Sequence, residues 1–379
     1  MIRTLGVEEE LLLVEPGSGR PLSVAGRVLR RSDSPEQRRK VGLPEQEGEG
    51  PGGHVTAEMQ QQQVETDTPP RTSLDDLEKD LALWRELAIR SARDSGAQVL
   101  ATGTSPVPVT PTPQREERYA RMTEQYGITA AEHLISGCHV HVSVESDDEG
   151  VGVLDRIRVW LPVLLGLSAN SPFWQGVDTR YASFRSQAIV RWPSAGPVDA
   201  FGSAERYHAL VADMVATGVL LDPAMAYFDA RLSDSYPTVE VRVADVCLDS
   251  RDAVLVAALA RGLVETAARD WADGRPAPAM PTAMIRLANW QAGRDGVGGA
   301  LLDPQTTRPR PAREVLDDLV AHVRPALEET GDLDHVREGI ERVLTVGNGA
   351  ARQRAALERT GQLTDVVAEL ARVTAGRGA

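Results

Sequence analysis

Thr4-Leu5-Gly6-Val7-Glu8-Glu9-Glu10-Leu11-Leu12-Leu13-Val14 sets three acids inside an otherwise apolar run near the start of the chain. Residues 4–14 read as a strand, on which positions i and i+2 share a face. Glu8 and Glu10 then point the same way. Two later stretches repeat the device: Gly137-Cys138-His139-Val140-His141-Val142-Ser143 and Thr238-Val239-Glu240-Val241-Arg242-Val243. His139 with His141, and Glu240 with Arg242, would extend one polar face across a sheet. Cys138, Val140, Val142, Val239, Val241 and Val243 would pack behind it. Polar ridges on three separate strands imply a charged occupant above that face, and these residue types point to divalent metal and phosphate.

Each element of that reading has a plainer alternative. Adjacent carboxylates repel, and burial raises their pKa values, a penalty that a bound cation removes. An exposed edge strand that uses acid against aggregation would show the same letters. A single strand histidine is usually a satisfied core group, whereas two on one face opposite acids suggest ligands. Imidazole suits zinc or manganese better than magnesium, yet one nitrogen among oxygens is compatible with magnesium. Glu58 and Glu65 bracket a glutamine run that is by default a solvated element. They share a face if that run is helical and oppose each other if it is extended. Arg180, Arg185 and Arg191 stand among aromatics in residues 178–193. Guanidinium forks match carboxylate and phosphate oxygens in pairs, although surface arginines also balance an acidic chain. Glu240 and Arg242 form either a simple ion pair or an arginine poised to neutralise a transferring phosphoryl group. Cys138 falls on the apolar face by parity and is not read as a nucleophile. The sequence has no Walker-type loop, and the glycines of residues 293–299 lack the context of a dinucleotide fingerprint.

The chain has 379 residues, 42% of them apolar, and a net charge of −14. That charge argues against nucleic acid or an anionic membrane as the main partner. Two cysteines, Cys138 and Cys247, make no disulfide framework, which suggests a cytoplasmic protein. The first residues run into acid at once, unlike a signal peptide, and the longest apolar stretch, residues 160–169, is too short for a bilayer and contains Pro162. A soluble protein is expected.

Ser73 is read as the cap of a strong helix, with Leu74, Leu77, Leu81, Trp84 and Leu87 at helical spacing. Helices are also expected over residues 114–126, 129–136, 154–168 and 203–217, and over most of the chain after residue 249. Short strands are expected near Leu22, at residues 98–101, at 226–229 and at 237–243. Residues 32–53, rich in glycine and proline, read as a polar loop and a candidate flap, with a strand near Val41. Without repeats or a compositional break, residues 1–379 are expected to form one α+β domain: a curved antiparallel β-sheet with the active site on its inner face, backed by helices.

Taken together, eight motifs resemble the carboxylate–amine ligase family, or glutamate–cysteine ligase type 2, which has a glutamine synthetase-like fold. They are Gly6-Val-Glu-Glu-Glu10, Gln63-Val-Glu65-Thr-Asp-Thr-Pro with Glu58 before it, Gly103-Thr-Ser-Pro106, and Gly137-Cys-His-Val-His-Val142. The others are Ser168-Ala-Asn-Ser-Pro-Phe-Trp-Gln-Gly176, Tyr181-Ala-Ser-Phe-Arg-Ser-Gln187, Arg191-Trp-Pro-Ser-Ala-Gly-Pro197 and Glu240-Val-Arg-Val-Ala-Asp245. The resemblance spans residues 4–375. It implies that Glu8, Glu10, Glu58, Glu65, His139 and Glu240 hold magnesium or manganese ions. His141 and Arg191 would approach ATP, Arg242 and Arg185 would be catalytic, and Arg185, Arg180 and Tyr181 would meet the substrate. A glycine is usual in the family where this chain has Arg180. The implied reaction is ATP-dependent amide formation through an acyl phosphate, with glutamate as the leading carboxylate, an unidentified amine as acceptor and a homodimer as the assembly.

Two rival readings make different predictions. His-x-His on a strand also serves zinc-dependent amidohydrolases, but those place the pair early and supply more histidines later. Here the pair lies at 139, and later histidines such as His208 and His335 are scattered. A catalytically inactive nucleotide-binding regulator would keep the sheet and lose amine-dependent turnover.

Overall fold

The computed structural model describes residues 2–44 and 50–377. Its centre is a seven-stranded antiparallel sheet. The strands are β1 (Leu5–Val14), β2 (Val55–Ala57), β3 (Gln63–Asp67), β4 (Gln98–Leu100) and β5 (Gly137–Ser143). After a two-stranded hairpin of β6 (Phe173–Trp174) and β7 (Val177–Asp178) come β8 (Ala230–Leu232) and β9 (Thr238–Asp245). The spatial order is β2-β3-β1-β5-β9-β8, with β4 pairing the far end of β1. The three polar-ridge strands are therefore neighbours, β1-β5-β9, and the sheet stays open.

Period-two alternation explains its two faces. Val7, Cys138, Val140, Val142, Val239 and Val241 are buried against helices. The principal cover is Ser250–Ala272, whose Val254, Leu255, Ala258 and Leu259 are wholly buried and whose first turn is capped by Asp249. Leu161–Ser168 and Asp147–Ile157 extend this layer. Leu74–Arg93 begins where Ser73 Oγ accepts from Asp76 N, and it buries Leu77, Leu81, Trp84 and Leu87. Burial of side chains of this kind contributes about 1.5–3 kcal/mol each, which holds the sheet rigid behind its polar face.

Several expected elements fall differently. Within residues 32–53, Pro35–Lys40 is a helix: Ser34 caps it and Pro35 takes the first position, where a missing N–H is harmless. Val41 ends this helix rather than forming a strand, and residues 45–49 of the expected flap lie outside the described residues. Ala25–Ser32 is also helical, while the segment near Leu22 makes only an isolated bridge between Val14 and Pro21. The apolar run 154–168 is split at residues 158–160, with Pro162 opening the second helix. Residues 129–136 supply only the single turn Ile128–Ala131, and the strand expected at 226–229 is Ala230–Leu232.

Candidate functional site

Register brings the acids together. Glu8 pairs with Asp67 and Glu10 with Glu65 across β1 and β3, while Glu8 faces His139 across β1 and β5. His141 pairs with Glu240 across β5 and β9. Glu58 lies just beyond β2, in the turn that leads into β3, so neither a continuous helix nor a single extended run describes residues 58–65. The turn folds Glu58 back until its carboxyl group hydrogen-bonds Glu65. A bulge in β9 places two residues, Arg242 and Val243, opposite the single His139 of β5, between the pair Val140 and Val241 and the pair Cys138 and Ala244. The shift sends Asp245 to the same face as Gly137, its cross-strand partner.

The front face is tightly connected. His139 Nδ1 lies 3.1 Å from Glu8 Oε2 and 3.8 Å from Glu240 Oε1, and its Nε2 lies 3.7 Å from Glu10 Oε1. His141 Nε2 is 3.1 Å from the other Glu8 oxygen. Glu240, nearly inaccessible, is held by Arg231 Nε at 2.7 Å and by Arg242. Gly137 N donates to Glu10 Oε2 at 2.6 Å. Glu9 faces backward, and its two oxygens accept from Arg85 at 2.6 and 2.7 Å inside the core. That back-face pair went unread in the sequence because Arg85 arrives from a helix 76 residues away.

These contacts sort the acids by charge. Burial pushes Glu58 up to about 7, with Glu10 adding repulsion, and burial followed by Glu58 holds Glu65 well above the carboxylate range. Burial acts the same way on Glu8, but hydrogen bonds from His139 and His141 outweigh it and keep Glu8 well below its ordinary value. For Glu240 burial is again opposed, here by Arg242 and Arg231, which bring it down to about 2. Burial, assisted by Arg242, lowers His139 and keeps its imidazole neutral.

Two overlapping groups have cation-ligating geometry. In Glu8, His139 and Glu240, and again in Glu10, Glu65 and His139, one donor atom from each residue lies within 4.8 Å of the others. His139 Nε2 is buried without a hydrogen-bond partner, and Glu58 and Glu65 repel one another. A divalent cation satisfies both conditions, and a donor set of carboxylates with one imidazole fits magnesium or manganese.

A cavity lies at each end of this cluster. One, of about 430 Å³, is lined by Arg185, Arg191, Arg242, Arg286 and Asp229. The other, of about 210 Å³, is bounded by Glu8, His141, Tyr236, Gly52 and Pro70. Arg185 is buried over Gly137, where any side chain would collide with its guanidinium. Asp245 secures that approach: its oxygens accept from Asn170 N at 2.8 Å, Ser171 Oγ at 2.6 Å and Ser183 Oγ at 2.8 Å, fixing the segment that carries Arg185.

Not every expected residue converges. Arg191 shares the arginine-lined cavity, pairs with Glu132 at 2.9 Å, and lies in a different cavity from His141. Arg180 and Tyr181 line neither cavity. Arg180 is exposed with φ +65°, a left-handed conformation that suits glycine. Tyr181 OH accepts from Trp290 Nε1 at 3.1 Å. Asp67 was legible in principle, since it stands two residues from Glu65 on the same strand. Arg231, Asp229, Arg286 and Asn289 carried no local signal.

Comparison with known proteins gives the family and the fold. The model of the family described as glutamate-cysteine ligase family 2 (GCS2) matches residues 4–369. A Streptomyces coelicolor protein named "Putative glutamate--cysteine ligase 2" is 51% identical over 98% of this chain and 99% of its own length. A Streptomyces avermitilis relative of similar name is 52% identical over 99% of this chain and 100% of its own. Among solved structures, the Francisella tularensis glutamate–cysteine ligase in complex with AMP superposes with a TM-score of 0.69 at 14% identity, covering 100% of this chain and 90% of that one. A bifunctional glutathione synthetase from Pasteurella multocida gives 0.68 at 16% identity, covering 99% of this chain and 52% of that one. The two structures share the fold, and the sequence match over nearly the whole length places this chain in glutamate–cysteine ligase family 2.

Proposed function

We propose that this ATP-dependent carbon–nitrogen ligase phosphorylates the side-chain carboxylate of glutamate and passes the acyl group to an amine, with residues 1–379 serving as one catalytic unit. One observation carries the reading: the acid–imidazole cluster lies between an arginine-lined cavity and a less polar one. Phosphoryl transfer needs that order, with nucleotide on one side, carboxylate on the other and countercharge between them.

In this reading ATP occupies the His141 side, its base against Tyr236 and the proline-rich wall. Glutamate occupies the arginine side, where Arg185 and Arg242 orient its carboxylates through paired hydrogen bonds. Arg191 thereby contacts the carboxylate substrate rather than ATP. A substrate carboxylate oxygen attacks the γ-phosphorus, the bond to ADP breaks, and an acyl phosphate forms. The amine nitrogen then attacks the acyl carbon, phosphate departs and the nitrogen loses a proton. Glu8, Glu10, Glu58, Glu65, His139 and Glu240 would hold magnesium or manganese, which supplies charge neutralisation at the phosphate oxygens. Glu240 keeps Arg242 aimed along the front face, and His139, held neutral, offers a lone pair rather than a competing positive charge.

The test is a screen of amino acid pairs with ATP and magnesium, read by phosphate release and product mass. Amine-dependent release of ADP and phosphate with a new amide mass is expected. Stoichiometric zinc with ATP-independent hydrolysis would overturn the proposal.

A further inference from the structure

Asp229 stands apart from the cation cluster and from every role assigned above. It lies just before β8, its backbone oxygen accepts from Arg242 N at 2.9 Å, and its side chain is partly open to the arginine-lined cavity. Asn289, from the helix Thr282–Asp295, donates to Asp229 Oδ2 at 2.7 Å. That bond orients the carboxylate but does not neutralise it, and among the described residues Asp229 belongs to no ion pair. The Oδ1 of Asn289 is itself buried without a partner. A carboxylate accepts about four hydrogen bonds, so capacity remains on the cavity side. Burial lifts Asp229 to about 6, a group that an added positive charge would stabilise.

The surroundings define the charge. Arg185 and Arg286 both act electrostatically on Asp229 and line the same cavity. One acid flanked by guanidiniums is the complement of an α-amino acid head, which carries an ammonium beside a carboxylate. A plain dicarboxylate would satisfy the arginines and leave Asp229 without a counter-ion.

We propose that Asp229, oriented by Asn289, binds the α-ammonium of the carboxylate substrate and restricts the donor to α-amino dicarboxylates. This rests on the assignment of the arginine-lined cavity to the carboxylate donor. Arg286 and Arg185 take the α-carboxylate, which leaves the distal carboxylate to Arg242 beside the cation cluster. Asp229 is a specificity-determining residue here, with no part in phosphoryl transfer.

The experiment compares L-glutamate with glutarate, the same carbon chain without the amine, by calorimetric binding to the full chain without ATP. The wild type should bind glutamate roughly 10- to 100-fold more tightly, the range for hydrogen bonds to charged groups. Asp229→Asn and Asp229→Ser should abolish the preference for glutamate while glutarate binding is retained or strengthened, because a carboxylate beside the dicarboxylate is removed, and that retained binding also reports folding. Equal wild-type affinities, absence of binding by both ligands, or discrimination retained in a variant that still binds glutarate would overturn the assignment. Amine-dependent phosphate release is measured separately. Selective binding without turnover sinks the ligase reading alone, whereas turnover of both donors at equal kcat/KM sinks the Asp229 assignment alone.

Discussion

Glu65 shows how this protein gives up stability to keep a charge trap. Its carboxyl group is hydrogen-bonded to that of Glu58, and burial with like charge holds it well above its ordinary range. Glutamine is the same size and carries no charge. Glu65→Gln should therefore raise the unfolding free energy of the metal-free protein by about 1–2 kcal/mol, read by urea denaturation in EDTA. The same change should lower turnover by more than the roughly 10–100-fold typical of outer-shell partners of a metal site. Full activity in the variant would remove Glu65 from the ligand set. Glu240 behaves differently. From the sequence alone, Glu240→Gln promises lost turnover with folding spared, but Glu240 neutralises both Arg231 and Arg242 while almost wholly buried. Its replacement strands two guanidiniums, so activity and stability should fall together.

Among the elements, β1, β5 and β9 were readable because alternation has a period of two, and that period is written in the letters. The same rule placed Cys138 behind the sheet, where burial raises its thiol well above the usual range. What parity could not supply was the partner of Glu9. Glu9 and Arg85 are 0% and 3% exposed, and Arg85 also donates to the backbone oxygens of Cys247 and Leu248. This interaction clamps Leu74–Arg93 to β1 and to the chain leaving β9. It stayed hidden because β-sheet register and helix rotation must both be known before the two side chains can meet. Asp229, Arg231 and Arg286 were illegible for the same reason, and the bulge that turns Asp245 forward has no letter of its own. Proline misled in the other direction, since Pro35 and Pro162 open helices in segments read as a loop and as one continuous helix. Arg85→Leu should cost about 3–5 kcal/mol, the penalty of leaving a buried charge unpaired. The double variant Glu9→Leu with Arg85→Leu should recover much of that loss in urea denaturation. Equal instability of the single and double variants would show that the backbone contacts of Arg85, not its charge, hold the helix.

Across the whole molecule, the helical layer fixes the sheet and the sheet holds acids closer together than they would choose. That tension should make folding stability, protonation and cation binding one linked system. Glu58 titrates near 7 in the folded protein against 4.5 in an ordinary setting. A raised carboxylate pKa means that the folded state holds its proton more tightly than the unfolded state does. The resulting stability is complete below about 4.5 and is lost as pH rises through about 7, at most about 3 kcal/mol for a shift of this size. Metal-free protein should thus lose stability between pH 5 and pH 8 at this site, and Glu58→Gln should remove that part of the slope. A cation competes with the same proton, so its stabilisation should grow in the opposite direction. Saturating magnesium should raise Tm more at pH 8 than at pH 6, and by less in Glu58→Gln at both. A magnesium-induced Tm shift that is independent of pH, or equal in the variant, would mean that the ion binds elsewhere and that Glu58 is only a buried acid.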